Sequence, residues 1–179
     1  MSACNILFAG FGGQGILFAG KFLAYKGLIE GKQVSWLPSY GPEMRGGTAN
    51  CSVIISDDPV GSPIVSTPDV LVAMNLPSLD KYENAAAKGA KIFIDSTLIS
   101  RKVERDDVDA YYIPATQMAN EAGIPTLANI IMIGKIIKES GVISHDDLMG
   151  ALKKVVSAKR AELLDVNLKA LEMGYNYEG

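Results

Sequence analysis

The sequence predicts an α/β layered fold: a single Rossmann-like domain, residues 1–179, with a mainly parallel sheet and helices on both faces. Three observations predict it. Short apolar runs (NILFAG, VLVAM, IFID) alternate with longer helical stretches, the pattern of a parallel sheet wrapped by its crossovers. The first run closes in Gly10-Phe11-Gly12-Gly13-Gln14-Gly15, a G-x-G-x-x-G turn that opens a helix. No Pro/Ser-rich linker, internal repeat or low-complexity tract divides the chain.

Each element follows from local pattern. Asn5 to Gly10 reads as a strand buried on both faces. Gly15 to Glu30 reads as a helix with Leu17, Leu23 and Leu28 along it, closed by Gly31. Gln33 to Leu37 is a strand stopped by Pro38, and SYGPEMRGGTAN is a loop on its Gly and Pro content. Cys51 to Ile55 resumes as a strand, Asp57-Asp58-Pro59 turns, and Val60 to Val65 is a candidate hairpin partner. Val70 to Met74 is a buried strand, followed by a helix from Leu76 to Lys88 with Pro77 in its first turn. Ile92 to Asp95 and Ala110 to Ile113 are further strands, the latter leading through Pro114 into a helical turn ending at Gly123. Leu127 to Ser140 is apolar nearly all round, the mark of burial in the core or against a partner. A helix starting at a Ser144-x-x-Asp147 cap and a last one from Ala158 to Met173 complete the chain.

Composition limits the functional classes. A formal charge of -3 gives no broad positive field, which argues against nucleic-acid binding. Two cysteines, Cys4 and Cys51, are too few for an Fe–S cluster held by this chain alone, which takes about four thiolates. The lone His145 beside Asp146 and Asp147 reads as a solvated first-turn residue, so no metal site is expected. No G-x-S-x-G elbow supports serine hydrolysis, and no residue is assigned a catalytic role. Without a membrane-length apolar stretch or a basic leader before NILFAG, the expected location is the cytoplasm, with no membrane association.

The glycine turn carries the first half of a candidate site: Gly10, Gly12, Gly13, Gln14 and Gly15. Glycines allow a tight turn and close approach of backbone N–H groups to a phosphate, beside the positive end of the following helix. A dinucleotide domain would place Asp or Glu at the end of the second strand to hold the ribose. That strand ends Trp36-Leu37-Pro38, so NAD and NADP are disfavoured. No Gly-Lys-Ser/Thr follows the turn, which excludes the Walker arrangement and leaves another phosphate ligand, such as part of coenzyme A or a diphosphate cofactor.

The second half is the loop after the second strand: Ser39, Tyr40, Glu43, Arg45, Gly46, Gly47 and Thr48. A parallel sheet puts this loop on the same edge as the turn, where ligands bind. Arg45 between flexible residues suits bidentate contact with a phosphate or carboxylate, with Glu43 as its partner or as an acceptor for a ligand hydroxyl. Asn75, at a strand end, is a candidate for a ligand or loop-holding hydrogen bond. Asp95 divides evenly between a ligand contact and a cap, and Asn129 reads as a structural anchor. Cys51, in a strand, reads as a buried inert thiol.

The segments GFGGQGILFAGKFLAYKG, VSWLPSYGPEMRGGTANCSVIIS, DVLVAMNLPSLDKY and NIIMIGKI resemble the gamma subunit of the 2-oxoacid:ferredoxin oxidoreductases over most of the chain. The resemblance implies an assembly that decarboxylates a 2-oxoacid on thiamine diphosphate. It also implies electron transfer through Fe–S clusters to ferredoxin and acyl transfer to coenzyme A. Thiamine diphosphate, its Mg and the clusters are then expected on alpha, beta and delta-type partner subunits. This chain is expected to hold no cofactor alone and to serve the coenzyme A side as co-substrate site and assembly surface. The SWLPSYGPEMRGGTANC form looks closer to the 2-oxoglutarate or branched-chain members than to the pyruvate type. A stand-alone Rossmann-type nucleotide-binding domain and the small subunit of indolepyruvate oxidoreductase are the alternative readings.

Overall fold

The computed structural model describes residues 2–39 and 48–179. Six strands form one sheet in the order β2-β3-β1-β4-β5-β6. The strands are β1 (Cys4–Phe11), β2 (Gln33–Ser39), β3 (Thr48–Ser56), β4 (Val70–Ala73), β5 (Lys91–Asp95) and β6 (Asp109–Ile113). β1, β4, β5 and β6 pair in parallel, as the alternation of elements requires. The expected parallel pairing fails at β3, which is antiparallel to both β1 and β2. An apolar run such as Cys51–Ile55 is the same in either direction, so sequence pattern alone does not register the reversal.

The helices are α1 (Ile16–Ile29), α2 (Leu76–Tyr82), α3 (Ala115–Glu121), α4 (Ala128–Ser140), α5 (Leu148–Val155) and α6 (Leu164–Tyr175). They load the two faces unequally. Ile6 and Phe8 of β1 point into a core shared with α1, α3, α4, α5 and α6. Leu7, between them, points into a smaller core closed by Leu79 of α2 with Ala86, Ala90 and Ile99. Two close approaches set the larger side. A Cβ on Gly20 of α1 would overlap the Cys51 sulfur, so only glycine lets α1 lie this near β3. Gly134 of α4 and Gly174 of α6 each face the other helix's backbone, at the carbonyls of Leu171 and Ile131.

Several boundaries differ from the sequence expectation, each for a local reason. Pro38 does not stop β2, which runs on to Ser39. β2 is an edge strand, where a missing N–H breaks no ladder. Residues 60–65 form no strand. The helix expected to reach Lys88 ends at Tyr82 and tightens into a 3-10 turn at Glu83–Ala85. There the Glu83 carboxylate, 4% exposed, turns inward to accept from Arg101 at 2.8 Å and from the Glu104 N–H at 2.6 Å. Ser144 does not cap α5; Asp147 does, accepting from the Gly150 N–H at 3.1 Å. Ser144 instead donates to Glu30, whose carboxylate also pairs with the buried Lys26 at 2.6 Å. The last predicted helix begins as a 3-10 segment, Ala158–Leu163, kinked at Arg160.

Candidate functional site

The glycine turn joins β1 to α1 at the C-terminal edge of the parallel strands, and two backbone conformations demand its residues. Gly13 has φ 91° and Gly15, the N-cap of α1, has φ 72°. Both lie in the left-handed region that a Cβ disfavours. With glycine as its cap, α1 receives no side-chain hydrogen bond at its N-terminus, so no cap side chain satisfies its first backbone N–H groups. Phe11, Gly12, Gly13, Gly15 and Phe18, with Ala49 of β3, surround a recess of about 300 Å3 there.

Two amides pin the turn. Gln14 accepts from the Phe11 N–H at 2.7 Å through Oε1 and donates to the Met74 carbonyl at 2.9 Å through Nε2. Its side chain therefore closes the turn and ties the end of β1 to the end of β4, with both amide atoms engaged in the fold. A Cβ on Gly10 would press on the Gln14 Oε1 and on Met74, which explains glycine at the first motif position. Asn129, near the start of α4, donates to the Gly15 carbonyl at 3.0 Å. Sequence pattern assigns Asn129 an anchoring role but no partner, because nothing local links residues 114 positions apart.

The other predicted residues divide. β2 and β3 form an antiparallel pair in which Ser39 lies opposite Asn50, and Phe11 of β1 lies opposite Thr48. The segment carrying Tyr40, Glu43, Arg45, Gly46 and Gly47 thus leaves and re-enters the sheet at the edge bearing the glycine turn. Those five residues lie outside the described residues, as does the Thr48 side chain. β2 runs in the same direction as β1, with the reversed β3 between them, so its C-terminal end reaches the edge that the parallel reading expected. Ser39 itself lines a different space, a groove of about 630 Å3 on the α2 side with Leu37, Asn50, Ser52, Lys81 and Tyr82. Asn75 caps α2, accepting from the Ser78 N–H at 2.9 Å, while its buried Nδ2 has no partner among the described residues. Asp95 serves structure: it accepts from the Thr97 N–H at 3.1 Å and from the Thr116 hydroxyl at 2.5 Å.

Neither cysteine is poised for chemistry. Burial pushes the Cys51 thiol up to about 12, against the lowering effect of the Trp36 indole, and it donates weakly to the Ile16 carbonyl at 3.5 Å. Burial, assisted by the nearby Asp69 carboxylate, pushes Cys4 up to about 12 as well. Both stay protonated at neutral pH, whereas nucleophilic attack and metal ligation use the thiolate. Among the described residues, no group of three or more His, Cys, Asp or Glu is placed to hold a metal ion. No described helix is long and apolar enough to cross a membrane.

Fold and site together define a class: an α/β domain with a glycine turn at a helix N-terminus and without the acid of a dinucleotide-binding unit. The strand that would carry the ribose-holding acid is displaced from β1 by β3 and ends at Ser39. The chain belongs to the pyruvate ferredoxin/flavodoxin oxidoreductase family, whose model matches residues 5–177. It is 41% identical over 95% of its length to the ketoisovalerate oxidoreductase subunit VorA of Methanothermobacter thermautotrophicus, of which it spans only 35%. It is 36% identical to the 2-oxoglutarate synthase subunit KorC of Methanocaldococcus jannaschii, covering 96% of this chain and 91% of that one. The keto/oxoacid ferredoxin oxidoreductase gamma subunit from Geobacter sulfurreducens superposes with a TM-score of 0.82 at 30% identity, covering 96% of both chains. A 2-oxoglutarate:ferredoxin oxidoreductase from Magnetococcus marinus, solved with 2-oxoglutarate, coenzyme A and succinyl-CoA, superposes with a TM-score of 0.84 at 25% identity. This chain covers 31% of that one and is itself covered over 98%.

Proposed function

We propose that residues 1–179 act as one gamma-type domain, a subunit of a 2-oxoacid:ferredoxin oxidoreductase that serves the coenzyme A side of its site. The observation that carries this reading is the N-terminus of α1, without a side-chain cap behind the glycine turn, at the sheet edge where β2 ends and β3 begins. Such an edge suits the phosphates of coenzyme A: backbone N–H groups at the turn, a guanidinium from Arg45, and hydroxyls from the neighbouring segment. Gly10, Gly12, Gly13 and Gly15 let the backbone approach the ligand, while Gln14 holds the turn's shape.

The chain's own residues supply binding and orientation. Thiamine diphosphate with Mg would supply decarboxylation, and Fe–S clusters the electron path to ferredoxin; these belong to alpha, beta and delta-type partners. Placing the clusters on partners is in keeping with the two thiols of this chain, both buried and protonated. The favoured substrate is 2-oxoglutarate. This chain matches KorC nearly end to end, whereas it spans about a third of VorA.

The test is reconstitution. With its partner subunits, the complex should convert 2-oxoglutarate to an acyl-CoA and reduce ferredoxin, faster than it converts ketoisovalerate or indolepyruvate. Arg45→Ala should raise the KM for coenzyme A about tenfold with the domain still folded, the loss of one charge-assisted contact. A complex that turns over equally well without this chain overturns the reading.

A further inference from the structure

Among the described residues, β2 ends the sheet, with β3 on one side and no strand on the other. Which of its backbone groups are left over follows from the ladders further in. The Asn5 and Ala9 carbonyls of β1 accept from the Asp69 and Met74 N–H groups at the two ends of β4. Odd-numbered residues of β1 therefore turn their backbone toward β4, and even-numbered ones bond to β3, where Ile6 pairs with Val53 and Phe8 with Cys51. Alternation along β3 then commits Asn50, Ser52 and Ile54 to β2, through Ser39, Leu37 and Ser35. The backbone groups of Val34, Trp36 and Pro38 are those that point away from the sheet, and Pro38 has no N–H to leave unmet.

This edge lacks the usual protection. Charged side chains, prolines and bulges ordinarily keep an edge strand from pairing. Gln33 to Leu37 contains no charged residue and no proline, and its register with β3 runs without a bulge. The opposite edge, β6, is shorter and opens with Asp109. Apolar surface gathers beside β2 as well. Leu37 is 40% exposed, and Leu28 and Ile29, 54% and 42% exposed, follow Gly27, where α1 comes close to Val34.

β2 is also complementary to itself. An antiparallel copy centred on Ser35 sets Val34 against Trp36 and Gln33 against Leu37. Val34 and Trp36 are the residues with outward N–H groups, so each exchanges both backbone bonds with the other across the contact. A β-branched residue opposite an aromatic one is a favourable cross-strand pair, and no like charges meet. The next pair outward is Lys32 with Pro38, and it strands no donor, because the Lys32 N–H already bonds the Gly27 carbonyl. A two-fold contact of this kind closes on itself, whereas β2 against β6 would leave free edges and grow.

We propose that two copies of this chain join edge to edge through β2, antiparallel about Ser35, to make one continuous sheet. The proposal does not depend on coenzyme A occupying the glycine turn.

The test follows the full chain by sedimentation velocity, where a dimer at micromolar concentration should dissociate on dilution. Ser35→Cys should give a disulfide-linked dimer on oxidation. The two-fold puts both copies of this position opposite each other as a non-hydrogen-bonded pair, with Cα atoms about 4.5 Å apart, within disulfide range. Wild type, whose two thiols are held protonated by burial, should not cross-link. Ser35→Lys sets two ammonium groups against each other and should weaken the dimer about a hundredfold. Ser35→Glu alone should do the same, and mixing the two variants should restore a dimer. If circular dichroism shows that Ser35→Lys fails to fold, Leu37→Lys places the charge on an exposed neighbour and should weaken the dimer instead. A chain that stays monomeric at millimolar concentration overturns the proposal, as does a dimer that folded lysine variants leave intact or that Ser35→Cys does not cross-link. Cross-linking of Ser35→Cys only to another subunit of an assembled complex would show a different strand on this edge, and overturns it too.

Discussion

The Gln14 side chain bonds the Met74 carbonyl at 2.9 Å across 60 residues of sequence, so the polar side chain of the glycine motif welds two adjacent strand ends together. Gln14→Ala removes that bond and the one from Phe11, and leaves a carbonyl and an N–H unmet. The expected cost is about 1–3 kcal/mol, measured by urea unfolding. Gln14→Glu retains the acceptor for Phe11 but loses the donor to Met74, and should fall between wild type and alanine.

Gly15→Ala combines two penalties. The backbone sits at φ 72°, and the new methyl would enter the space of the Asn129 amide. A loss of about 1–3 kcal/mol is expected from the conformation alone. The added displacement of Asn129 should perturb its amide NMR signal, a change that Gly31→Ala, at φ 79° with open space around it, should not produce.

Gly134→Ala and Gly174→Ala should be among the most damaging small substitutions in the chain. Each new methyl meets the opposing helix's backbone, which does not yield as a flexible side chain would. Overpacking of this kind costs typically about 1–3 kcal/mol and occasionally more. Thermal unfolding of both variants checks it, and a shift within error of wild type would contradict the α4–α6 packing.

Acid stability should report on Glu30. Burial alone would raise its carboxyl, but hydrogen bonds from Lys26 and Ser144 outweigh that and hold it below its usual 4.5. A depressed folded value means that the stabilisation is present in full above about pH 4.5 and fades as pH falls through the folded value. Glu30→Gln should therefore be less stable than wild type at pH 7, with the gap narrowing toward pH 3. Denaturant midpoints across that range make the measurement.

Thiol labelling should be slow in the native state. With Cys4 and Cys51 both pushed up to about 12, neither offers thiolate at pH 8, so an aromatic disulfide reagent should titrate both only after unfolding. Fast native labelling of Cys51 would show that α1 opens away from β3.

What sequence reveals and what it conceals divide along physical lines. The turn at Gly10–Gly15, the buried strands and the α4 run are legible because local pattern and burial agree there. The reversed β3 is not, because Cys51–Ile55 is buried on both faces and carries no direction. Nor are the Glu83–Arg101 pairing, the Glu30–Ser144 bond or the Asn129–Gly15 bond, which joins residues 114 apart. Gln14 and Asn75 were readable as site residues by position, yet their amides bind backbone first: polar residues at strand ends must satisfy their own turns before a ligand.

The reversed β3 carries one further consequence. Because Phe11 faces Thr48 across one ladder and Ser39 faces Asn50 across the next, the stretch that joins β2 to β3 is held to the sheet at the rungs beside the glycine turn. Lengthening or trimming that stretch should leave the sheet alignment, and hence the glycine turn, where it is. The architecture uncouples the register of the sheet from the length of the stretch that joins β2 to β3.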